Sequence, residues 1–218
     1  HPLYIMYSSG TTGLPKSIVH GAGGTLLKHL CEQRFHCNLC PGDRLFFFTT
    51  CGWMMWNWLI SGLACGACIV LYDGAPTFPD EGRMWRLIDE EEITHFGTSP
   101  KFLSTIKKTG YEPKKQHRLK SLKAFLSTGS PLPEDLFEWF YKKVHSGIPL
   151  MSISGGTDLI GCFMAGNPNL PVYSGEIQCK GLGMDTQAFN PNGESLVGEK
   201  GELVCCTPFP SMPLGFWD

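Results

Sequence analysis

The run Tyr7-Ser-Ser-Gly-Thr-Thr-Gly-Leu-Pro-Lys16 places hydroxyls, two glycines and an ammonium side by side. Glycines let backbone N–H groups turn towards an anion, and hydroxyls and an ammonium add donors. The chemistry on offer is phosphate binding. The run is not a Walker A loop, which needs Gly, four residues, then Gly-Lys-Ser/Thr. Counted from Gly10, Pro15 stands where the second glycine belongs, although Lys16 and Ser17 follow in order. The apolar residues 3–6 read as a buried strand before the loop, and residues 18–30 as a helix after it. Strand, glycine loop and helix are the context in which such a loop holds phosphate. Two further turns carry hydroxyls and small residues, Ser127-Thr-Gly-Ser-Pro-Leu132 and Ser154-Gly-Gly-Thr-Asp158. The histidines offer no catalytic triad. His20 follows the loop, His95 sits in a strand, and no motif pairs either with Ser or Cys, so both read as structural.

The elements that must position these turns alternate. Apolar, β-prone runs at 3–6, 45–50, 68–72, 93–97, 122–127 and 150–154 predict strands. Helical patterns occupy 24–33, 84–91, 100–108 and 133–145. In the last, Leu136, Phe137, Phe140, Tyr141 and Val144 share one face. Pro133, Glu134 and Asp135 suit its start, and Lys142 and Lys143 its end. Such alternation predicts an α/β fold, layered on a largely parallel sheet, with ligands past the carboxyl ends of the strands. After Cys162 the texture turns to Gly, Pro and Asn with short β-prone pieces, and Asn190-Pro-Asn-Gly193 reads as a hairpin turn. The expected division is an α/β core over residues 1–162 and a smaller β-rich subdomain over 163–218.

The bulk properties exclude several classes. A net charge of -2 over 218 residues, with no strong basic run, argues against a nucleic-acid partner. The segment between Leu45 and Tyr72 carries no charge and is long enough to span a bilayer. However, Gly52, Gly62 and Gly66 divide it into strand, helix at 53–61 and strand, a buried core segment and not a membrane span. Of ten cysteines, Cys37/Cys40 and Cys65/Cys68 form two C-x-x-C pairs. Zinc binding is one reading. Reduced, buried, small hydrophobes in a cytosolic protein is the favoured one, because Cys65 and Cys68 lie in an apolar run. Residues 107–123 are basic and read as a solvated face. Both ends of the chain read as cut from a longer protein.

The order SSGTTGLPK resembles the phosphate-binding signature of the acyl-adenylate-forming superfamily, which includes acyl-CoA synthetases, adenylation domains and luciferases. Other segments match in order. TGSPL resembles the turn that covers one adenine face, SGGTD the family's Tyr-Gly-x-Thr-Glu segment, and Gly201-Glu-Leu-Val204 its Gly-Glu-Leu strand. GWMMWNW, SISGGTD and LPVYSGEIQ bring the chain closest to the branch that activates acetoacetate. The resemblance covers nearly the whole chain.

It implies an acid–CoA ligase of lipid metabolism with ATP, Mg2+ and CoA as its small molecules, cytoplasmic, with no membrane span. Ser8, Ser9, Gly10, Thr11, Thr12, Gly13, Lys16 and Thr157 would hold phosphates. Gly129, Ser130 and Pro131 would flank adenine, with Ser154 and Gly155 opposite. Trp53, Met54, Met55, Thr128 and Gly155 would line the acyl pocket. Thr157 and Asp158 would be the catalytic residues present, with Asp158 on the metal where the family usually has Glu. Acetate-specific relatives carry tryptophan where this chain has Gly155, so glycine leaves room for a longer acid. The family's ribose-binding Asp and the small domain with its adenylation lysine have no match here, so the 218 residues alone are expected not to catalyse exchange. A synthetase for another short or aryl acid, and a non-catalytic nucleotide-binding module, are the alternatives.

Overall fold

The computed structural model describes residues 1–8 and 14–217. Its centre is a sheet of five parallel strands in the order β4-β3-β5-β6-β7. These are β3 (Arg44–Phe47), β4 (Cys68–Val70), β5 (His95–Thr98), β6 (Ala124–Ser127) and β7 (Leu150–Ser152). Both faces are covered, which is why the strands read as continuous apolar runs and not as alternating ones. On one face, Phe46, Phe96 and Phe125 pack with α3 (Arg83–Glu90), α4 (Pro100–Thr109) and α6 (Glu134–Lys143) around the buried Trp85. On the other, Leu45, Phe47 and Leu126 pack with Met55, Trp58 and Leu59 of α2 (Met54–Ile60). Gly97 in β5 makes this packing possible, because a Cβ there would overlap the Phe47 ring. Phe47 in turn meets Trp53 and Trp58 edge-on, with ring centroids 6.3 and 6.2 Å away. α5 (Pro113–Gln116) is a single turn in the linker before β6.

The α/β expectation holds, and the uncharged segment is strand, helix and strand in the core, as read. The start differs. β1 (Pro2–Ser8) pairs antiparallel with β2 (Lys16–Gly21), and only then does α1 (Ala22–Cys31) begin, extended by a π-helical turn over Glu32–His36. Residues 18–21 are therefore strand and not helix, and the phosphate-type loop joins a hairpin. The β-branched pair Ile18 and Val19 favours this choice, and both are buried. Leu3 and Ile5 are exposed, so residues 3–6 are not the buried strand expected. Of the cysteines, Cys37 and Cys65 are buried, but Cys40 and Cys68 are exposed, against the reading of both pairs as core.

β8 (Ser154–Gly156) and β9 (Gly161–Ala165) form a hairpin, flanked by β10 (Cys179–Lys180). β11 (Thr186–Phe189), β12 (Ser195–Leu196) and β13 (Glu202–Cys205) make a separate antiparallel sheet, and the expected turn at Asn190 joins the first two. β14 (Gly215–Phe216) returns to pair with β2. No helix among the described residues is long and apolar enough to cross a membrane.

The β8–β9 hairpin rests on a buried ion pair. Lys28 and Glu32 are each 2% exposed, with Nζ 3.2 Å from Oε1, close enough to pair though not aligned as a hydrogen bond. Glu32 Oε1 also accepts from the Cys162 N–H at 2.7 Å, and Oε2 from the Trp58 indole at 2.8 Å. Its carboxylate thus joins α1, α2 and β9. Removing one partner of a buried pair costs about 3–5 kcal/mol, because the other charge is left uncompensated. Glu32→Ala is expected to lower unfolding free energy by that order in denaturant titration, and a loss below about 1 kcal/mol would contradict the role given to the pair.

Burial also holds His20, His29 and His95 below their ordinary pKa near 6.5. The folded chain keeps them neutral, whereas the unfolded chain takes up their protons below that value. The unfolded state therefore binds more protons there, and stability falls with falling pH. The melting midpoint is expected to be level above pH 7 and to drop steadily between pH 6.5 and 5; a flat profile would contradict it.

Candidate functional site

A cavity of about 370 Å³ opens past the carboxyl ends of β3, β6 and β7. Three stretches build its walls. After β3, the chain runs over residues 48–52 into Trp53, Met54 and Met55 at the start of α2. After β6 comes the turn Thr128, Gly129, Ser130, Pro131, Leu132. After β7 come Ile153, Ser154, Gly155, Gly156 and Thr157. Each is a loop beginning where a parallel strand stops, the position where open α/β sheets hold ligands.

The local geometry follows from residue type. Gly129 has φ of 99°, a conformation that a side chain makes costly, and a Cβ there would lie at ordinary contact distance from the Trp53 ring. Thr128 spends its hydroxyl on the Ile153 carbonyl at 3.0 Å, tying the second wall to the third. Phe47, seated over Gly97, supports Trp53 from below. An aromatic and two methionines thus make an apolar side, and the serines, Thr157 and exposed peptide groups make a polar one.

Gly155 lies in an unusually close crossing. A Cβ there would overlap the Gly161 carbonyl oxygen and approach Cys162 Cα to 2.8 Å. A register shift between Ser154 and Gly155 accompanies this approach. Gly161 is pressed in the same way from behind, where a Cβ would lie 2.7 Å from Glu32 Oε1. The room at residue 155 is therefore not an empty side-chain slot. It is backbone closeness that two glycines permit.

The turn from Thr157 to Ile160 is held by side chains from distant parts of the chain. His20 Nε2 donates to the Thr157 carbonyl at 2.8 Å, and His29 Nε2 donates to that of Ile160. The Ser211 hydroxyl donates to the Leu159 carbonyl at 2.6 Å. Ile160 sits at φ 48°, a strained position for a β-branched residue. His95, in contrast, binds the Cys37 carbonyl and Thr94 within the core.

The expected site residues fall into three groups. Trp53, Met54, Met55, Thr128, Gly129, Ser130, Pro131, Ser154, Gly155 and Thr157 are brought together in one wall. Ser8, Lys16 and Asp158 are outside it. Ser8 and Lys16 face each other across the β1–β2 pair, and Lys16 lies 6.0 Å from the Phe216 ring. Asp158 is exposed on the turn. Ser9, Gly10, Thr11, Thr12 and Gly13 lie outside the described residues. Sequence reasoning missed Leu132, Ser152, Ile153, Gly156, Gly161, Cys162, Gly175 and Ile177 in the wall. Gly175 and Ile177 lie in the run from Leu170 to Gln178, which resembled the family in the sequence without marking these two apolar residues as part of a site.

Known proteins resemble this chain along its whole length. Residues 1–217 match the family described as AMP-binding enzyme. Acetoacetyl-coenzyme A synthetase of Rhizobium meliloti (strain 1021) is 55% identical over 218 residues, which is 100% of this chain and 34% of that protein. Malonamoyl-CoA synthetase vrtB of Penicillium aethiopicum is 49% identical over 94% of this chain and 30% of its own length. The solved acetoacetyl-CoA synthetase from Streptomyces lividans superposes with a TM-score of 0.94 at 48% identity, covering 100% of this chain and 34% of that one. The chain thus spans about a third of the length of the relatives it matches. With the match running from end to end and the cavity walls built from the motif turns, the chain belongs to the AMP-binding enzyme family.

Proposed function

We propose that the chain is the nucleotide- and acid-holding part of an ATP-dependent acid–CoA ligase that activates acetoacetate. The observation that carries this reading is the single cavity into which the Trp53–Met55, Thr128–Pro131 and Ser154–Thr157 turns all converge. The reaction has two displacements. An acid oxygen attacks the α-phosphorus of ATP and pyrophosphate leaves. The CoA thiolate then attacks the acyl carbon and AMP leaves. Both depend on placement and on donors facing developing charge more than on groups that make bonds.

In this reading Gly129, Ser130 and Pro131 lie along one face of adenine, with Ser154 and Gly155 opposite. The residues from Ser8 to Gly13, with Lys16 and Thr157, grip phosphate oxygens. Asp158 is a single exposed carboxylate, and no group of three His, Cys, Asp or Glu gathers among the described residues. One carboxylate beside substrate phosphates suits Mg2+, which keeps several waters, so Asp158 would hold it and the ion would neutralise phosphate charge. Trp53, Met54, Met55, Thr128 and Gly155 line the acid's place. Acetoacetate and malonamate both carry a carbonyl two carbons from the carboxylate and differ in a terminal methyl or amide. The apolar Trp53 and Met pair supports the methyl end, because a buried amide without partners is costly. The division at residue 162, a cytosolic setting and a role in lipid metabolism belong to the same proposal. The separate β11–β13 sheet supports a β-rich unit within residues 163–218, although β9 runs across residue 162, and ten free cysteines support the cytosolic setting.

Substrate profiling of the full-length protein by ATP–pyrophosphate exchange tests the reading. Acetoacetate is expected to exceed acetate by about tenfold or more in kcat/KM, the scale that one lost group in an apolar pocket supplies. Equal or better turnover of acetate would overturn it. Gly155→Ala is expected to depress exchange with every acid and to lower stability by about 1–3 kcal/mol, since the added methyl strikes β9 backbone. A clean switch towards acetate at unchanged melting temperature would contradict the close-crossing geometry.

A further inference from the structure

We propose that His20 is a positioning residue for the turn that carries Thr157 and Asp158, acting through its hydrogen bond to the Thr157 carbonyl. This role rests on the ligase reading only for its consequence in turnover; the geometry stands by itself. His20 lies at the end of β2, directly after the phosphate-type loop, and is fully buried. Its Nε2 reaches across 137 residues of sequence to Thr157 O at 2.8 Å. One side chain thus links the strand that leaves the loop to the turn that bears the exposed acid.

Three features make this more than core filling. First, the turn is strained at Ile160, whose φ of 48° a β-branched residue adopts only when its surroundings impose it. Second, the bonds that impose it come in a row: His20 on residue 157, Ser211 on 159, His29 on 160, and Glu32 on the N–H of 162. Only the His20 bond falls on a residue of the cavity wall that precedes Asp158 directly. Third, His20 Nδ1 has no hydrogen-bond partner although it is buried. An orphaned nitrogen in the interior costs free energy, so the ring is not placed for its own satisfaction. It is kept as a neutral Nε2–H donor by desolvation, against the opposing pull of the Thr157 and Ser211 backbones and of the Asp158 carboxylate. Of the charged and titratable groups beyond it, Glu32 and Lys28 are paired with each other, and His29 is itself held neutral.

The test uses the full-length protein with two substitutions. His20→Leu keeps the bulk and removes the donor, while His20→Gln places an amide N–H near the position of Nε2. Amide hydrogen exchange of a peptide spanning residues 157–162 reads the turn without reference to activity. ATP–pyrophosphate exchange with acetoacetate reads its consequence. His20→Leu is expected to speed exchange in the peptide by about tenfold, the scale of one lost hydrogen bond, and to lower kcat by a similar factor with little change in KM for the acid. His20→Gln is expected to recover most of both. Unchanged protection of 157–162 in a folded His20→Leu protein would overturn the proposal, as would equal losses in the Leu and Gln variants. If the wild type exchanges with no acid, the ligase reading fails, and the protection data still decide the positioning role.

Discussion

The buried Glu32 carboxylate is the point on which the site's geometry depends. It is paired with Lys28, receives the Trp58 indole and the Cys162 amide, and presses against Gly161. Those contacts join the first helix, the helix that begins at the cavity wall, and the hairpin that forms the opposite wall. A charge in such a place is tolerated only when its oxygens are satisfied and its counter-charge is near. Here both conditions are met by groups that must themselves be in position, so the carboxylate enforces a particular arrangement in addition to whatever stability it contributes. With the histidine donors above it, the result is a turn whose carbonyls at Thr157, Leu159 and Ile160 are each held by a side-chain donor.

The parallel sheet was legible because its strands are short apolar runs bounded by glycine and polar residues, and burial on both faces removes any alternation that would confuse the reading. The three wall turns were legible for a different reason: their residues resemble a known order of motifs. The hairpin formed by β1 and β2 was not. A strand just after a glycine loop looks like a helix start when its partners are unknown, and those partners are β1 across the loop and β14 nearly two hundred residues later. Glu32 was equally opaque. On sequence it is an ordinary charged residue in an amphipathic helix, and what buries it comes from residues 58 and 162. His20 and His95 read as structural from the sequence, but the turn that His20 shares with His29 could be seen only once that turn was placed.

The polar and apolar halves of the cavity arise from different layers of the fold. Trp53 is held from beneath by a phenylalanine that exists in its place because Gly97 lacks a side chain. Thr157 is held at its carbonyl by the buried His20 donor, and Ser154 lies in the β8–β9 ladder. An alteration in the aromatic layer therefore acts through shape, and one in the hairpin acts through orientation. The two are joined at the Thr128 hydroxyl, which bonds the carbonyl of Ile153.

The crossing of Gly155 and Gly161 constrains how such a chain diverges over time. Alanine is one base change away from glycine, yet at either position its methyl would meet backbone or the Glu32 carboxylate before it met any ligand. A lineage acquiring a large residue at 155 must first, or at once, draw β9 away, which requires a different arrangement at 161 and 32. Any change of size at this corner therefore comes through coupled sets of replacements, and the order in which they arise decides which intermediates survive.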